Sequence, residues 1–181
     1  MLVITIPATE QFNESTGEFL ETKEQTLQME HSLLSISKWE SKWCKPFLSK
    51  QDKTYEETLD YIKCMTLNKN VDDSVYACLT QANIDAINEY IGAPMTATYF
   101  STHERGGKNG EQVTSELIYY WMIALQIPFD PCQKWHINRL LTLVRVCNIK
   151  NQPPKKMSKR DIMSRNSALN AARRKQMNTK G

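Results

Sequence analysis

Basic residues are concentrated at one end of this 181-residue chain. Residues 150–181 contain ten Lys or Arg and one acid, Asp161, which gives a net charge of +9. The whole chain carries +3, so residues 1–149, with 13 basic and 19 acidic residues, carry −6. In a helix, the apolar residues of the basic segment would form only a narrow stripe. We therefore predict a mainly helical globular domain over 1–149 and a basic C-terminal arm or helix over 150–181.

Length and composition restrict the class of protein. A chain of 181 residues suits one globular domain with an appendage, and its 40% apolar and 24% charged residues exclude collagen-like, mucin-like and wholly disordered chains. No apolar run approaches the roughly 18 residues that a membrane span requires. The N-terminus has no basic segment before its short apolar run, so no signal peptide is predicted. We expect a soluble, cytoplasmic protein without membrane contact.

Two capping-box patterns predict the starts of helices. Ser37–Glu40 and Thr54–Glu57 each place Glu three residues after Ser or Thr, so that the two side chains can satisfy exposed N–H groups of a first turn. The first helix would have Trp39 and Trp43 four residues apart on one face. The second is expected to end before Asn68, where turn-forming residues begin.

Short β-rich segments predict two small β elements. Leu2–Ile6 contains β-branched residues, and apolar and polar residues alternate in Leu27–Leu33, so these two strands would form an N-terminal hairpin-like sheet. Thr96–Phe100 and Glu111–Thr114 are separated by a Gly-rich turn and predict a second short hairpin.

The remaining apolar patterns predict helices. A helix around Ile84–Ile91 would be closed by Gly92, and the helix that Ser115 can cap is apolar almost all round, which predicts a central place in the core. Asp130-Pro131 is typical of a helix start, here for a helix that includes Trp135 and Val144.

A further capping pattern, Ser158–Asp161, begins the basic helix. The predicted fold class is mostly α with small β elements (α+β): a helical core, an N-terminal hairpin-like element, a second short hairpin and a basic C-terminal helix.

Catalytic motifs are missing from the sequence. The three histidines, His31, His103 and His136, have no metal-ligand spacing, and the acidic pairs at 56–57 and 72–73 fit helix first turns, where negative charge is favoured. Arg105–Gly110 lacks the order of a phosphate-binding loop and is interpreted as a hairpin turn. A Cys–His pair assembled by the fold stays open at this point. We expect no enzyme activity, no metal and no cofactor.

The cysteine pattern favours free thiols. The chain has five cysteines, an odd number, with no closely spaced pair. Without a secretory signal, we expect reduced thiols that mostly pack as small apolar residues.

The basic segment is the candidate binding site. It could neutralise phosphates, but it has no aromatic residue on which bases could stack, so sequence-specific nucleic-acid binding is not expected. Alternatively, its helix could place an apolar stripe in a groove while its charges meet acids at the rim, either on a partner or on the acidic body of another copy. The predicted partner-binding residues are Lys155, Lys156, Lys159, Arg160, Ile162, Met163, Arg165, Leu169, Arg173, Arg174 and Lys175; Ala172 extends the stripe.

Three stretches, Leu34–Trp43, Ser115–Met122 and Trp135–Ala168, together resemble a family of small proteins encoded among the tail genes of tailed bacteriophages, the tail assembly chaperones. The resemblance spans nearly the whole chain. It implies a noncatalytic protein of the host-cell cytoplasm that binds the long helical tape measure protein and keeps it soluble during tail assembly. It also implies self-association in multiple copies.

An alternative keeps the same basic segment but changes its role. The chain could be a structural component of the virion, a tail or connector protein whose basic C-terminal arm binds neighbouring subunits. Nonspecific nucleic-acid binding through residues 150–181 is a third hypothesis.

Overall fold

The structure is a computed structural model that describes residues 1–13, 18–100, 112–152 and 158–178. The protein is mostly α-helical with small antiparallel β elements, which confirms the predicted fold class. The strands and helices are β1 Leu2–Ile6, β2 Thr9–Asn13, β3 Glu18–Thr22, β4 Gln25–Met29, α1 Leu33–Trp43, α2 Tyr55–Met65, α3 Asp73–Ala77, α4 Gln81–Gly92, α5 Ser115–Ala124, α6 Phe129–Cys132, α7 Ile137–Asn151 and α8 Lys159–Met177.

The N-terminal strands form two antiparallel pairs. β1 pairs with β4, with Ile4 opposite Leu27, and β2 pairs with β3. Ile4, Ile6, Leu27 and Met29 are buried while the residues between them are more exposed, because alternate side chains of a strand point to opposite faces. The predicted N-terminal sheet is therefore confirmed, although its second strand ends at Met29 rather than Leu33.

The second hairpin is not where the sequence predicts it. Residues 96–100 and 112–114 contain no strand, and residues 101–111, which include His103 and the loop Arg105–Gly110, lie outside the described residues. The second described β pair is β2 with β3. Short β-branched runs therefore misled the prediction, since strand propensity depends on an available partner strand.

The N-cap of helix α1 lies five residues before the predicted cap, Ser37. Its N-cap is Ser32, whose side chain accepts a hydrogen bond from the N–H of Ser35, and the Ser35 hydroxyl accepts from the N–H of Ser32 in return. Ser37 lies inside the helix, so its predicted capping role is wrong. Two serines form this capping box in place of the usual Ser–Glu pair, so no Glu three residues after the cap marks the start of the helix in the sequence.

The other predicted helix starts are close to those observed. Thr54 caps α2 through a reciprocal box with Glu57, as predicted. Thr114, not Ser115, caps α5. Gly92 is the last residue of α4 rather than a residue beyond it, and the helix ends there because Pro94 follows Ala93 in an extended conformation.

The predicted helix after Asp130-Pro131 is divided. Asp130 has extended backbone angles inside the short α6, and the long helix α7 begins only at Ile137. Trp135 therefore precedes α7, whereas Leu140 and Val144 belong to it and are buried.

One hydrophobic core holds the first sheet and the helices of residues 1–148 together. Helix α1 packs against α2 and α5, and the indole N–H of Trp39 donates to the carbonyl of Glu57 at 2.8 Å. Trp39 and Trp43 stack with ring centroids 6.2 Å apart, as their spacing predicts. The largest fully buried side chains are Ile6, Leu27, Met29, Leu33, Ile36, Trp39, Met65, Ile87, Ile118, Met122, Ile137 and Leu140.

The backbone divides into two compact units, residues 1–148 and residues 149–181. The first unit contains every buried side chain among the described residues. The described part of the second unit consists of the end of α7 and all of α8, in which no residue is buried. No helix among the described residues is long and apolar enough to cross a membrane.

Candidate functional site

Helix α8 is the element that contains the predicted partner-binding residues. Ser158 is its N-cap and accepts a hydrogen bond from the N–H of Asp161 at 3.1 Å. The Asp161 carboxylate accepts from the Ser158 hydroxyl at 2.6 Å. An acid in the first turn and Arg174 and Lys175 in the last turn complement the helix dipole. The sequence alone was sufficient to find this start and the helix that follows it.

Every predicted binding residue that the structure describes lies on α8 and is exposed. These residues are Lys159, Arg160, Ile162, Met163, Arg165, Leu169, Arg173, Arg174 and Lys175. The other two, Lys155 and Lys156, lie outside the described residues. Ile162 is 43% exposed, Leu169 47% and Met163 73%.

Three of the four apolar residues predicted for the stripe of α8 lie on one side of the helix, and Met163 does not. Ile162 and Leu169 are seven residues apart, which places them on one side of the helix, and Ala172 follows Leu169 by one turn. Met163 is one position from Ile162 and so lies about 100° around the helix. Arg165 follows Ile162 by three positions and Arg173 follows Leu169 by four, so they lie on opposite sides of the Ile162–Leu169 pair. We call Ile162, Leu169 and Ala172 with these two arginines the α8 stripe.

Helix α5 has a second apolar surface, which the sequence analysis did not predict. It is the most apolar helix by sequence and was expected to be surrounded by core, but only Ser115, Ile118 and Met122 are buried. Tyr120 is 62% exposed and Ile123 65%. The expectation was wrong because an apolar composition all round a helix does not fix how many of its sides are covered.

The exposed residues of α5 lie on one face. Glu116, Tyr120 and Ile123 are spaced by four and three residues, and Ala124 lies beside them. We call these four residues the α5 face; Glu116 is the single charged residue of the helix. The ring of Phe129, 42% exposed, extends the apolar surface because it packs edge-on against Tyr119 with centroids 5.4 Å apart.

A groove lies on the other side of α5. Leu48, Val113, Trp121 and Leu141 provide its apolar lining, together with the polar residues Ser49, Lys50, Gln51 and Gln112. The lining thus combines apolar side chains with polar ones, among them the charged Lys50.

The fold brings together two histidines that are far apart in the sequence. His31 follows β4 and His136 precedes α7, and their rings meet edge-on with centroids 5.0 Å apart. Both side chains are buried. The backbone sets this approach, because the N–H of Ile137 donates to the carbonyl of His31 at 2.7 Å. No spacing in the sequence could have indicated the pair.

Hydrogen bonds hold His136 in one neutral form. Its Nε2–H donates to the carbonyl of Tyr90 at 3.0 Å, and its Nδ1 accepts from the N–H of Asn138 at 3.3 Å. Because Nδ1 must be an acceptor here, the charged imidazolium does not fit. Burial lowers the pKa of His136, and the bond to Tyr90 only partly opposes this effect.

His31 is also held neutral. Its Nδ1 shares a hydrogen bond with the Tyr61 hydroxyl, and the Tyr61 oxygen lies 3.4 Å from the Ser35 hydroxyl. Burial, with a smaller contribution from His136, lowers the pKa of His31 to about 3. Burial also raises the pKa of Tyr61. Neutral side chains satisfy one another in this cluster, which connects β4, α1, α2 and the start of α7.

Tyr90 closes the cluster on the α4 side. Its hydroxyl donates to the Glu30 carboxylate at 2.6 Å, and burial together with this bond raises the pKa of Tyr90. Among the described residues, no group of three or more His, Cys, Asp or Glu side chains is placed to hold a metal ion. The polar atoms of the cluster are used in bonds between segments, so its contacts account for it as a structural network.

A buried carboxylate joins the end of α1 to two other segments. The two Glu40 oxygens accept from the N–H of Phe47 at 2.8 Å and from the N–H of Ser115 at 2.7 Å. Glu40 is 7% exposed. It therefore fixes the loop after α1 and the first turn of α5 relative to each other.

The acidic pairs lie in helix first turns, as predicted. Glu56 and Glu57 are in the first turn of α2, and Asp72 caps α3 by accepting from the N–H of Ser74 at 2.9 Å. A hydrogen bond from Lys45, followed by one from the N–H of Thr54, lowers the pKa of Glu57. Hydrogen bonds from Ser74 lower the pKa of Asp72.

The five cysteines are free thiols. Cys132 is buried, and Cys64, Cys78 and Cys147 pack against the core as partly buried residues, which confirms most of the prediction. Cys44 differs because it is exposed and caps α1 with a φ of 52°.

Comparisons with known proteins do not assign the chain to a family: no family model, no curated protein and no solved structure matches it.

Proposed function

We propose that this chain is a noncatalytic tail assembly chaperone of a tailed bacteriophage, which binds the tape measure protein in the host-cell cytoplasm and keeps it soluble. The observation that supports this function is helix α8, 19 residues long and without a buried residue. A helix that is polar nearly all round gains little from its own fold, so its apolar stripe is available to a partner.

The composition of the α8 stripe suits a helical client. Ile162 and Leu169 can lie in an apolar groove of a partner helix, while Arg165 and Arg173 meet acidic side chains at its edge. Covering apolar helix faces in this way prevents their aggregation before the tail tube forms. Several copies would be needed along one long client.

Coexpression with the tape measure protein encoded among the same tail genes tests the proposal. The expected result is a soluble complex with the wild-type chain and loss of that complex with the double variant Ile162→Glu/Leu169→Glu. The matched control is Ser164→Glu/Ala171→Glu, which adds the same charge at the same spacing to the opposite side of α8 and should retain the complex. A client that stays insoluble with the wild-type chain, or a complex that ignores the stripe variant, would contradict the proposal.

A structural role in the virion is the second candidate function. The division of the chain into two compact units favours it, because a separate basic unit could bind a neighbouring subunit as an arm. Mass spectrometry of purified virions separates the two functions. A chaperone should be missing from virions, whereas a tail or connector component should be present in stoichiometric amount.

Nucleic-acid binding is tested in the same set of variants. If α8 bound duplexes through its charges alone, affinity would fall steeply with salt and would change equally in the stripe variant and in its matched control. A client helix that needs the stripe predicts a difference between those two variants.

A further inference from the structure

The α5 face is an apolar surface that lacks a cover among the described residues of its unit. Tyr120 and Ile123 are 62% and 65% exposed, and Phe129 adds a ring that is 42% exposed. Exposed apolar groups of this size that lie side by side are typical of a binding surface rather than of scattered surface residues. Glu116 is the one charge on the face, so a partner of positive charge is favoured.

We propose that the partner of the α5 face is helix α8 of a second copy of this chain. This inference depends on the proposed function only in using α8 as the docking helix. The charges are complementary, since residues 1–149 carry −6 and residues 150–181 carry +9. Within the two surfaces, Glu116 faces outward on α5, and Arg165 and Arg173 lie on opposite sides of the Ile162–Leu169 pair of α8.

The spacings of the two surfaces also correspond. Glu116 and Ile123 are seven residues apart, as are Ile162 and Leu169, so each pair spans about 10.5 Å along its helix. A helix pair in contact over two turns can therefore place Leu169 or Ile162 against Ile123 and Tyr120, with an arginine near Glu116. Aliphatic side chains on one surface and an aromatic ring on the other give such a contact its apolar centre.

This contact is heterologous, because the α5 face of one copy meets the α8 stripe of the next. A bound pair still presents one unused stripe, on one copy, and one unused α5 face, on the other, so the chain assembles head to tail into rings or open oligomers. The contact area is small and charged, so association should be weak, concentration-dependent and weakened by salt. The stripe cannot contact a client and an α5 face together, so self-association and client binding compete.

Two variants separate this contact from other arrangements. Ile123→Glu removes the α5 face but keeps the α8 stripe, and Leu169→Glu does the reverse. Both residues are substantially exposed, so the substitutions should leave the fold intact, which circular dichroism checks. The matched controls are Asn88→Glu, exposed on α4, and Asn170→Glu on another side of α8.

Light scattering of the full-length proteins without client gives the test. The wild-type chain and both controls are expected to increase in mass with concentration, whereas each of the two variants stays monomeric at concentrations at least tenfold higher. An equal mixture of the two variants should form a dimer and stop there, because only one complementary pair of surfaces remains. A mixture that stays monomeric while the wild-type chain associates would overturn the proposal, as would a monomeric wild-type chain.

The same variants distinguish this proposal from the proposed function. If α8 binds both partners, Leu169→Glu loses client and self-association, while Ile123→Glu loses self-association alone. If the wild-type chain associates with itself but does not keep the client soluble, the chaperone function is contradicted and the α5–α8 contact is still supported.

Discussion

The buried histidine cluster and helix α8 are both rich in polar groups, but their polar groups have opposite surroundings. In the cluster, His31, His136 and Tyr61 are buried, and each makes a hydrogen bond to another segment of the fold. Along α8, the charged side chains are exposed from Lys159 to Lys175. Buried polar groups are costly when they lose a partner, whereas exposed ones are compensated by water. The first region therefore determines stability, and the second is available for binding.

Glu40 allows the strongest test of this contrast. Glu40→Gln keeps one accepting oxygen and replaces the other by an NH₂ group, which cannot accept a hydrogen bond. Either the N–H of Phe47 or that of Ser115 therefore loses its acceptor. We expect the free energy of unfolding to fall by about 3 kcal/mol, because a buried N–H loses a charged acceptor. Chemical denaturation measures it. Glu56→Gln, at an exposed position, is the control and should change stability by less than about 0.5 kcal/mol; equal effects would break the comparison.

The histidine cluster predicts that the free energy of unfolding of residues 1–148 depends on pH. Both imidazoles are neutral when folded, with the pKa of His31 lowered to about 3, whereas the unfolded chain takes up protons near pH 6.5. The unfolded state thus binds more protons below pH 6.5, so stability is complete above that value and decreases as the pH falls. His31 alone should account for a loss of about 2 kcal/mol between pH 7 and pH 5, and His136 should add to this loss in the same direction.

A variant without the two imidazoles identifies the source of that loss. His31→Asn/His136→Gln keeps polar atoms near Nδ1 and Nε2 but does not titrate. Denaturation at pH 7, 6 and 5 should give a steep slope for the wild-type chain and a nearly flat one for the variant. Parallel slopes would show that other groups cause the dependence.

The sequence predicted those features that depend on neighbouring residues. The Thr54–Glu57 box, the Ser158 cap and the Trp39–Trp43 face follow from local hydrogen bonding and periodicity, and each is present. For the first β pair, residue types and alternation within each strand indicated the strands themselves. The start of α1 was misplaced because two serines form its box.

Features that depend on the meeting of distant segments could not be predicted. The His31–His136 contact joins residues 105 positions apart, and the Glu40 bond to Ser115 joins residues 75 apart. The exposed α5 face was missed for the same reason, since only the packed structure decides which side of an apolar helix meets the core. For α8, the sequence was sufficient because no tertiary contact buries its residues.

Two helix caps of the same chemistry sharpen the comparison at a smaller scale. Thr54→Ala removes the N-cap of α2, which belongs to the unit of residues 1–148. This change should lower the free energy of unfolding by about 1 kcal/mol. Ser158→Ala removes the cap of α8 and should reduce helical content without moving the main unfolding transition. Thermal unfolding followed by circular dichroism records both; a shift of the main transition by the second variant would show that α8 is coupled to the core.

Of all these changes, removal of α8 should have the smallest effect on the stability of residues 1–148. Because no residue of α8 is buried, the chain 1–152, which keeps all of α7, loses no core contact. We expect its free energy of unfolding at moderate salt to lie within about 0.5 kcal/mol of that of the full chain, measured below the concentration at which copies associate. The shortened chain should nevertheless fail to self-associate and fail to solubilise the client. A large loss of stability would instead place α8 among the structural elements, and its exposed stripe would then no longer indicate a binding role.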